Sequence, residues 1–390
     1  MNNKLIIIGA GPAGLSLACS LADTELDILL FEKQSLHKLS NPKYDGREIA
    51  LTHFSKNILE KLNVWKLIPS KKISLIKEAK VLNGNSFYTL NFDTTEINAN
   101  NLGYLVSNHV IKKTLYQMVK TKKNVKIIPN TNIDTIEEGT KGIKIKTSCN
   151  KKFESPLVVA ADSRFSTIRK KMHIESSIQN FNQTAIVCKM SHKKNHQKIA
   201  YECFLYGKTL AVLPLFNKTS SIVLTCSKER SDTLMKLNIN EFNEYIAQEF
   251  NYLLGDMKLI SKRFSYPLTG VYANHFIKNR FALVGDSAVG MHPVTAHGFN
   301  LGLQGQNILS ERIKFALKNR IDIGSLKVLK KYEEEQRFIS KPLYIGTNAI
   351  VKLYTKESFV SKIVRKVVLR IGNNFSPIKK KIINSLTEIH

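Results

Sequence analysis

No apolar run in this chain approaches the roughly 18 residues that a membrane-crossing helix needs, so no transmembrane span is expected. The amino-terminal segment lacks a signal peptide's basic, apolar and small-residue layout and reads directly into a strand. Cys19, Cys149, Cys188, Cys203 and Cys226 form no C-x-x-C pair and are odd in number. A disulfide framework is therefore not expected, no metal site is, and a reducing, cytoplasmic compartment is. Internal repeats and low-complexity linkers are missing too. Acids are scarce, with 31 Asp and Glu against 59 Lys and Arg, for a net charge of +28. That imbalance invites a nucleic-acid reading, but the lysines are spread along the whole chain. No arrayed aromatic and basic groove and no nucleic-acid module stands out, so nucleic acid is excluded as a partner. An anionic membrane surface suits the charge better.

The 390 residues, 43% apolar and 23% charged, have the make-up of a soluble globular protein and can bury a large core in two domains or so. The organising stretch runs from Phe281 to Gln304. Phe281 to Val284 reads as a short apolar strand, Gly285 lets the backbone come close to a neighbour, and Asp286 sits at the strand's carboxyl end. Open α/β sheets bind their ligands at such ends. From about Asn300 to Lys318 the chain reads as a helix, whose start offers unpaired N–H groups and a partial positive charge. A carboxylate for sugar hydroxyls beside a positive helix end suits a flavin, whose ring becomes anionic on reduction.

The first residues supply the complementary half. Lys4 to Ile8 reads as a strand running straight into Gly9-Ala-Gly-Pro-Ala-Gly14, a G-x-G-x-x-G turn. In that pattern Gly9 makes the tight turn, Gly11 lets a pyrophosphate approach, and Gly14 lets the helix pack on the strand, with Pro12 and Ala13 between them. A helix from Ala13 to Leu21 leads to a second strand, Asp27 to Phe31, ending in Glu32, where the fingerprint places a ribose-binding carboxylate. Strand, turn, helix, strand and acid together point to an adenine dinucleotide.

Arg47 lies in the loop after the second strand, either reaching cofactor phosphates with a bidentate fork or simply solvated. Asn108 falls near the N-cap of a helix expected from about Val110 to Val119. Strands near 125–128 and 142–147 read as a hairpin. Leu157 to Ala161 then delivers Asp162 to another strand end, followed by Ser166 and Arg169 at a helix start. Short, turn-separated strands over Thr184–Met190, Ile199–Leu205, Leu210–Leu215 and Ser221–Cys226 suggest a smaller inserted sheet, with one amphipathic helix from Asn238 to Tyr252. Val360 to Ile371 carries an apolar stripe opposite Lys362, Arg365, Lys366 and Arg370, which suits either core packing or a membrane surface.

In order, G-x-G-x-x-G at 9–14, D-x-x-x-S-x-x-R at 162–169, and G-D at 285–286 followed by H-P-x-x-x-x-G-F-N-L at 292–301 resemble the single-component FAD aromatic hydroxylases. Asp45 to Leu51, Leu102 to Tyr104 and Gly298 to Leu303 resemble the ubiquinone-biosynthesis hydroxylases most. Ala161 to Ser166 and Val289 to Gly298 are similar to their 5-demethoxyubiquinol hydroxylase branch. Ser163 stands where the family has Gly, and His297 where many relatives have Gln.

The resemblance implies an α/β fold with an α+β insertion: a Rossmann-like FAD-binding domain holding a smaller β-sheet substrate domain. The expected division is 1–75, 101–180 and 263–345 for the FAD-binding domain, 76–100 and 181–262 for the substrate domain, and 346–390 for a basic helical end. It further implies FAD on Gly9 to Gly14 and Glu32 at the adenosine end, with Arg47, Asn108, Asp162 and Gly285 contributing and Asp286 on the ribityl chain. The flavin edge is expected on Gly298, Phe299, Asn300 and Leu301, in a loop that includes His292 and Pro293; no acid–base residue is singled out. The implied reaction is hydroxylation of a polyprenylated phenol in ubiquinone biosynthesis with O2, at one ring position or more, C5 being favoured. NAD(P)H is the expected reductant, binding transiently because only one dinucleotide fold is visible. The implied location is cytoplasmic, peripheral on the inner face of the membrane or beside other ubiquinone-biosynthesis proteins. Two rivals stay open: a flavin reductase or dehydrogenase acting on a prenylated substrate, and a non-catalytic flavin-binding subunit.

Overall fold

The computed structural model describes residues 3–84, 89–96, 99–205, 207–292 and 297–355. Pro293 and the stripe from Val360 to Ile371 lie outside the described residues. Leu5, Ile6 and Ile7 of the strand Lys4–Ile8 are wholly buried. Burial on both faces marks a strand inside a helix-covered parallel sheet. This strand sits in a six-stranded sheet ordered 277–278, 281–283, 157–160, 4–8, 27–31, 125–128. Its pairings are parallel except at one edge, where Ile277–Lys278 runs antiparallel to Phe281–Leu283. Helix Pro12–Leu21 opens with proline in its first turn, where no N–H is needed. It packs between helices Asn108–Lys120 and His297–Lys318, and Ser20 Oγ donates to Gln306 Oε1 at 3.0 Å.

The second sheet has nine strands and is largely antiparallel, ordered 289–290, 264–273, 176–192, 219–227, 209–214, 199–204, 78–83 and 89–92, with 257–259 joined to 176–192. One parallel pairing, Ile199–Phe204 with Glu78–Asn83, brings an early segment into it. Helix Ile239–Glu249, closed by a reciprocal capping box between Asn238 and Glu241, places Phe242 and Ile246 on one face of this sheet. The strands Ser176–His192 and Phe264–Ala273 are long and pair with each other across a bulge between Asn180 and Thr184. Sheet membership thus extends past 181 and 262 on both sides, because continuous ladder pairing carries both strands beyond those positions.

The mixed α/β architecture expected from the sequence is what the chain adopts. One strand pairing is not. Val125–Ile128 and Ile143–Thr147 form no hairpin with each other: the first pairs with Asp27–Phe31, and the second with Ile133–Glu138. The turn closing that hairpin lies at Gly139 and Gly142, where Gly139 N–H donates to Gly142 O at 2.9 Å. Pattern identifies strands but does not choose partners. Among the described residues no helix is long and apolar enough to cross a membrane.

Candidate functional site

Gly9 has φ of +109°, and a Cβ there would lie 2.5 Å from Ala161 O. Only glycine tolerates both conditions. A Cβ on Gly14 would lie 1.9 Å from Gly9 O, so the helix is seated directly on the turn. Gly11 differs: the nearest atom to its Cβ position is 4.0 Å away. It is the N-cap of Pro12–Leu21, and no side chain caps that helix. Its open flank and uncapped start form a cradle for an anionic group.

Glu32 is buried beside this cradle. Its Oε2 accepts from Ala10 N–H at 2.7 Å and its Oε1 from Gln34 N–H at 2.8 Å. Each carboxylate oxygen keeps a lone pair for a ribose hydroxyl. Across the cradle, Gly285 has φ of +66°, and a Cβ there would come within 2.7 Å of Ala13 Cβ. This close approach brings the Gly285–Ser287 turn against the first helix. Asp286 stays partly exposed and pairs with Arg164 at 3.3 Å. Arg164 also donates to Thr269 O at 2.6 Å, and its arm occupies the space a Cβ on Gly290 would need.

The middle motif builds a capped turn. Asp162 Oδ2 accepts from Thr167 N–H at 3.0 Å, while Ser166 caps the helix Thr167–Lys171 through Arg169 N–H at 2.8 Å. Arg169 is fully buried, and its guanidinium donates to Ser287 O at 2.7 Å and Arg164 O at 3.1 Å. These contacts tie two strand-end turns together.

Arg47 and Asn108 meet through a residue that sequence reasoning missed. Asp45 pairs with Arg47 at 2.6 Å and accepts from Asn108 Nδ2 at 2.7 Å. Arg47 and Asn108 together hold the Asp45 carboxyl below its usual range, against the opposing effect of burial. Asn108 is not a cap: the N-cap is Ser107, whose hydroxyl turns to Glu48 at 2.7 Å, leaving Asn108 buried in the first turn. The sequence signal was its nearness to a helix start. It could not reveal a partner 63 residues away.

The helix His297–Lys318 begins three residues before the expected Asn300. Asn300 is buried and fastens a neighbouring strand, with Nδ2 donating to Ala50 O at 2.9 Å and Oδ1 accepting from Thr52 N–H at 3.3 Å. A Cβ built on Gly298 would lie 4.0 Å from Met291 Cβ. Phe299 is half-buried and Leu301 buried, with Leu301 O accepting from Gln336 Nε2 at 3.3 Å. His292 packs edge-on against Phe181 at 4.7 Å. Burial holds both His292 and His297 down to about 4, with Arg164 adding to the effect at His292. Both rings are neutral near pH 7.

Comparison with known proteins bears on what occupies this cradle. The model of a family described as "FAD binding domain" matches residues 2–344. Ubiquinone hydroxylase UbiM of Neisseria meningitidis is 42% identical over 99% of this chain and 85% of its own. The chain belongs to this FAD-binding hydroxylase family. The family's cofactor fits the residues present: the open flank at Gly11, the uncapped helix, and the lone pairs left on Glu32. Ubiquinone hydroxylase UbiL of Rhodospirillum rubrum is 28% identical over 96% of this chain and 87% of its own. Among solved structures, p-nitrophenol 4-monooxygenase PnpA of Pseudomonas putida superposes with a TM-score of 0.78 at 15% identity, covering 98% of both chains. At that identity the likeness is one of fold. The resemblance to ubiquinone-biosynthesis hydroxylases read from the motifs is borne out.

Proposed function

We propose that this enzyme hydroxylates the aromatic ring of a polyprenylated phenol in ubiquinone biosynthesis, with C5 the favoured position. The carrying observation is the position of Asn300. It ties Ala50 and Thr52 to the start of helix His297–Lys318, and Ala50 also packs against the apolar cluster of Ile76, Leu105 and Ala200, the last on the second sheet. Strand Glu48–Leu51 thus touches both the helix start and the apolar cluster that reaches the second sheet, which supports this reading.

FAD supplies the redox chemistry that activates O2, and NAD(P)H is the proposed reductant. The chain's own groups bind and orient. Gly11, Pro12, Ala13 and Gly14 would hold the pyrophosphate, Glu32 the ribose, and Asp286 the ribityl hydroxyls. Arg47 and Asn108 would border the phosphates. The amides from Gly298 to Leu301 would stabilise negative charge on the flavin ring through the helix start. His292 and His297 are themselves neutral there and add no charge of their own. On this reading 1–75, 101–180 and 263–345 form the cofactor domain, while 76–100 and 181–262 form the substrate domain, with the two long strands running between them. A cytoplasmic protein meeting its substrate at the inner membrane face fits the net charge of +28.

Oxygen-18 labelling tests the reaction. Purified protein, NAD(P)H and a prenylated phenol under 18O2 should yield product carrying one labelled oxygen. Consumption of reductant without labelled product would favour the reductase reading, and neither event would favour a non-catalytic subunit.

A further inference from the structure

Strand Ile199–Phe204 divides its side chains between two environments. Tyr201 and Cys203 pack under helix Ile239–Glu249 with Leu210, Val212 and Leu224. Side chains alternate along a strand, so Ala200 and Glu202 face the other way. Ala200 packs there with Leu105, Ile76 and Ala50. Glu202 is one step further along that face. Its cross-strand neighbours are Val81 on one side and Ala211 on the other, and Ala211 is followed by Val223 and then Val187.

This row crosses the middle of a nine-stranded sheet, yet Val81, Glu202, Ala211 and Val223 all remain partly exposed. On the opposite face Leu210, Ile222 and Leu224 are wholly buried. Incomplete burial at mid-sheet leaves this row accessible from that face. One end of the face is closed by the loop before Glu48–Leu51. Gly46, at φ of +78°, lies so close to Phe264 that a Cβ would clash, and Lys189 pairs with Glu48 at 2.8 Å.

Glu202 is the one ionisable side chain in that row, and a carboxyl among small apolar neighbours is costly without a partner. Burial pushes it up to about 8, opposed by a hydrogen bond from Thr209. In either protonation state the carboxyl keeps an oxygen that can accept a hydrogen bond. Lys189, on the same face, is taken by Glu48 and does not neutralise it.

Resting on the hydroxylase reading, we propose that Glu202 is the substrate-recognition group, its carboxyl oxygen accepting the hydroxyl hydrogen of the phenolic ring. The small side chains of Val81, Ala211 and Val223 seat the ring's face, and the adjoining, partly exposed Leu213 takes the first part of the prenyl chain. A site built to hydrogen-bond a hydroxyl discriminates against an analogue that lacks it.

The test uses the FAD-loaded enzyme, 2-farnesylphenol and its O-methyl ether, with binding followed by the change in flavin absorbance. Wild type should bind the phenol at least about tenfold more tightly than the ether, the equivalent of one hydrogen bond. Glu202→Gln keeps an acceptor and should keep the preference. Glu202→Leu and Glu202→Ala should bind both compounds equally, with wild-type flavin content marking an intact fold; either variant that retains flavin decides the matter. A preserved tenfold preference in a truncated variant overturns the role of Glu202 and leaves the hydroxylase reading standing. Failure of wild type to bind either compound overturns both.

Discussion

At the residue scale, two groups separate binding from folding. Asp286 is partly exposed and, among the described residues, pairs with the partly exposed Arg164, a contact worth about 0–1 kcal/mol to stability. Asp286→Ala should therefore leave the flavin-free protein's melting temperature nearly unchanged. FAD affinity should fall by about 1.5–3 kcal/mol, the loss of charge-assisted hydrogen bonds to sugar hydroxyls. Flavin fluorescence titration measures this, and wild-type affinity would remove Asp286 from the site. His297 acts on stability instead. Its folded-state value is lowered from 6.5 to about 4, so the unfolded chain takes up the proton first as pH falls. Stability is full above about 6.5, is lost as pH drops towards about 4, and changes no further below. The shift corresponds to about 3 kcal/mol. His297→Gln should flatten the fall in melting temperature between those pH values, and an unchanged slope would mean that the ring protonates freely in the fold. Neither the burial of His297 nor the Asp45 bridge was legible in the sequence, because both depend on what packs against them.

At the scale of elements, the Gly9–Gly14 turn joins two requirements that sequence reading treats as one motif. Gly14 serves the fold: a methyl group 1.9 Å from Gly9 O has nowhere to go, and Gly14→Ala should destabilise by about 1–3 kcal/mol or more. Gly11 serves the ligand. Its Cβ position is open, so Gly11→Ala should fold with near-normal stability and lose FAD affinity at least about tenfold, since the methyl group would occupy the approach of the pyrophosphate. Paired melting curves and flavin titrations of the two variants check this, and equal behaviour would contradict the division. The motif D-x-x-x-S-x-x-R was visible as a pattern, but its work was not. Asp162, Ser166 and Arg169 form a capped turn whose buried guanidinium reaches Ser287 O, 118 residues further on.

For the molecule as a whole, charge and substrate chemistry point in one direction. A polyprenylated phenol is too apolar to travel through water, each buried methylene being worth about 0.8 kcal/mol. Lys362, Arg365, Lys366 and Arg370, read from the sequence alone, would add about 1 kcal/mol each near an anionic surface. Wild type should co-sediment with phosphatidylglycerol vesicles at low salt and release as salt rises. Glutamates at those four positions should weaken the binding several-fold, whereas equal sedimentation of both proteins would assign the segment a packing role.

The sequence by itself determined the strand–turn–helix units and their glycines, because those features arise from local sterics and a buried apolar run. It also placed Glu32 and Asp286 at strand ends, since Glu32 follows directly on Asp27–Phe31 and Asp286 lies in the short turn that follows Phe281–Leu283. Tertiary structure decided everything that needs two distant segments. It chose the partners of Val125–Ile128 and Ile143–Thr147, brought Arg47 and Asn108 onto Asp45, and turned Glu202 towards the open face of the second sheet. Strand alternation gives every side chain one of two faces, but only the packing of a helix on one of them makes the other face the site.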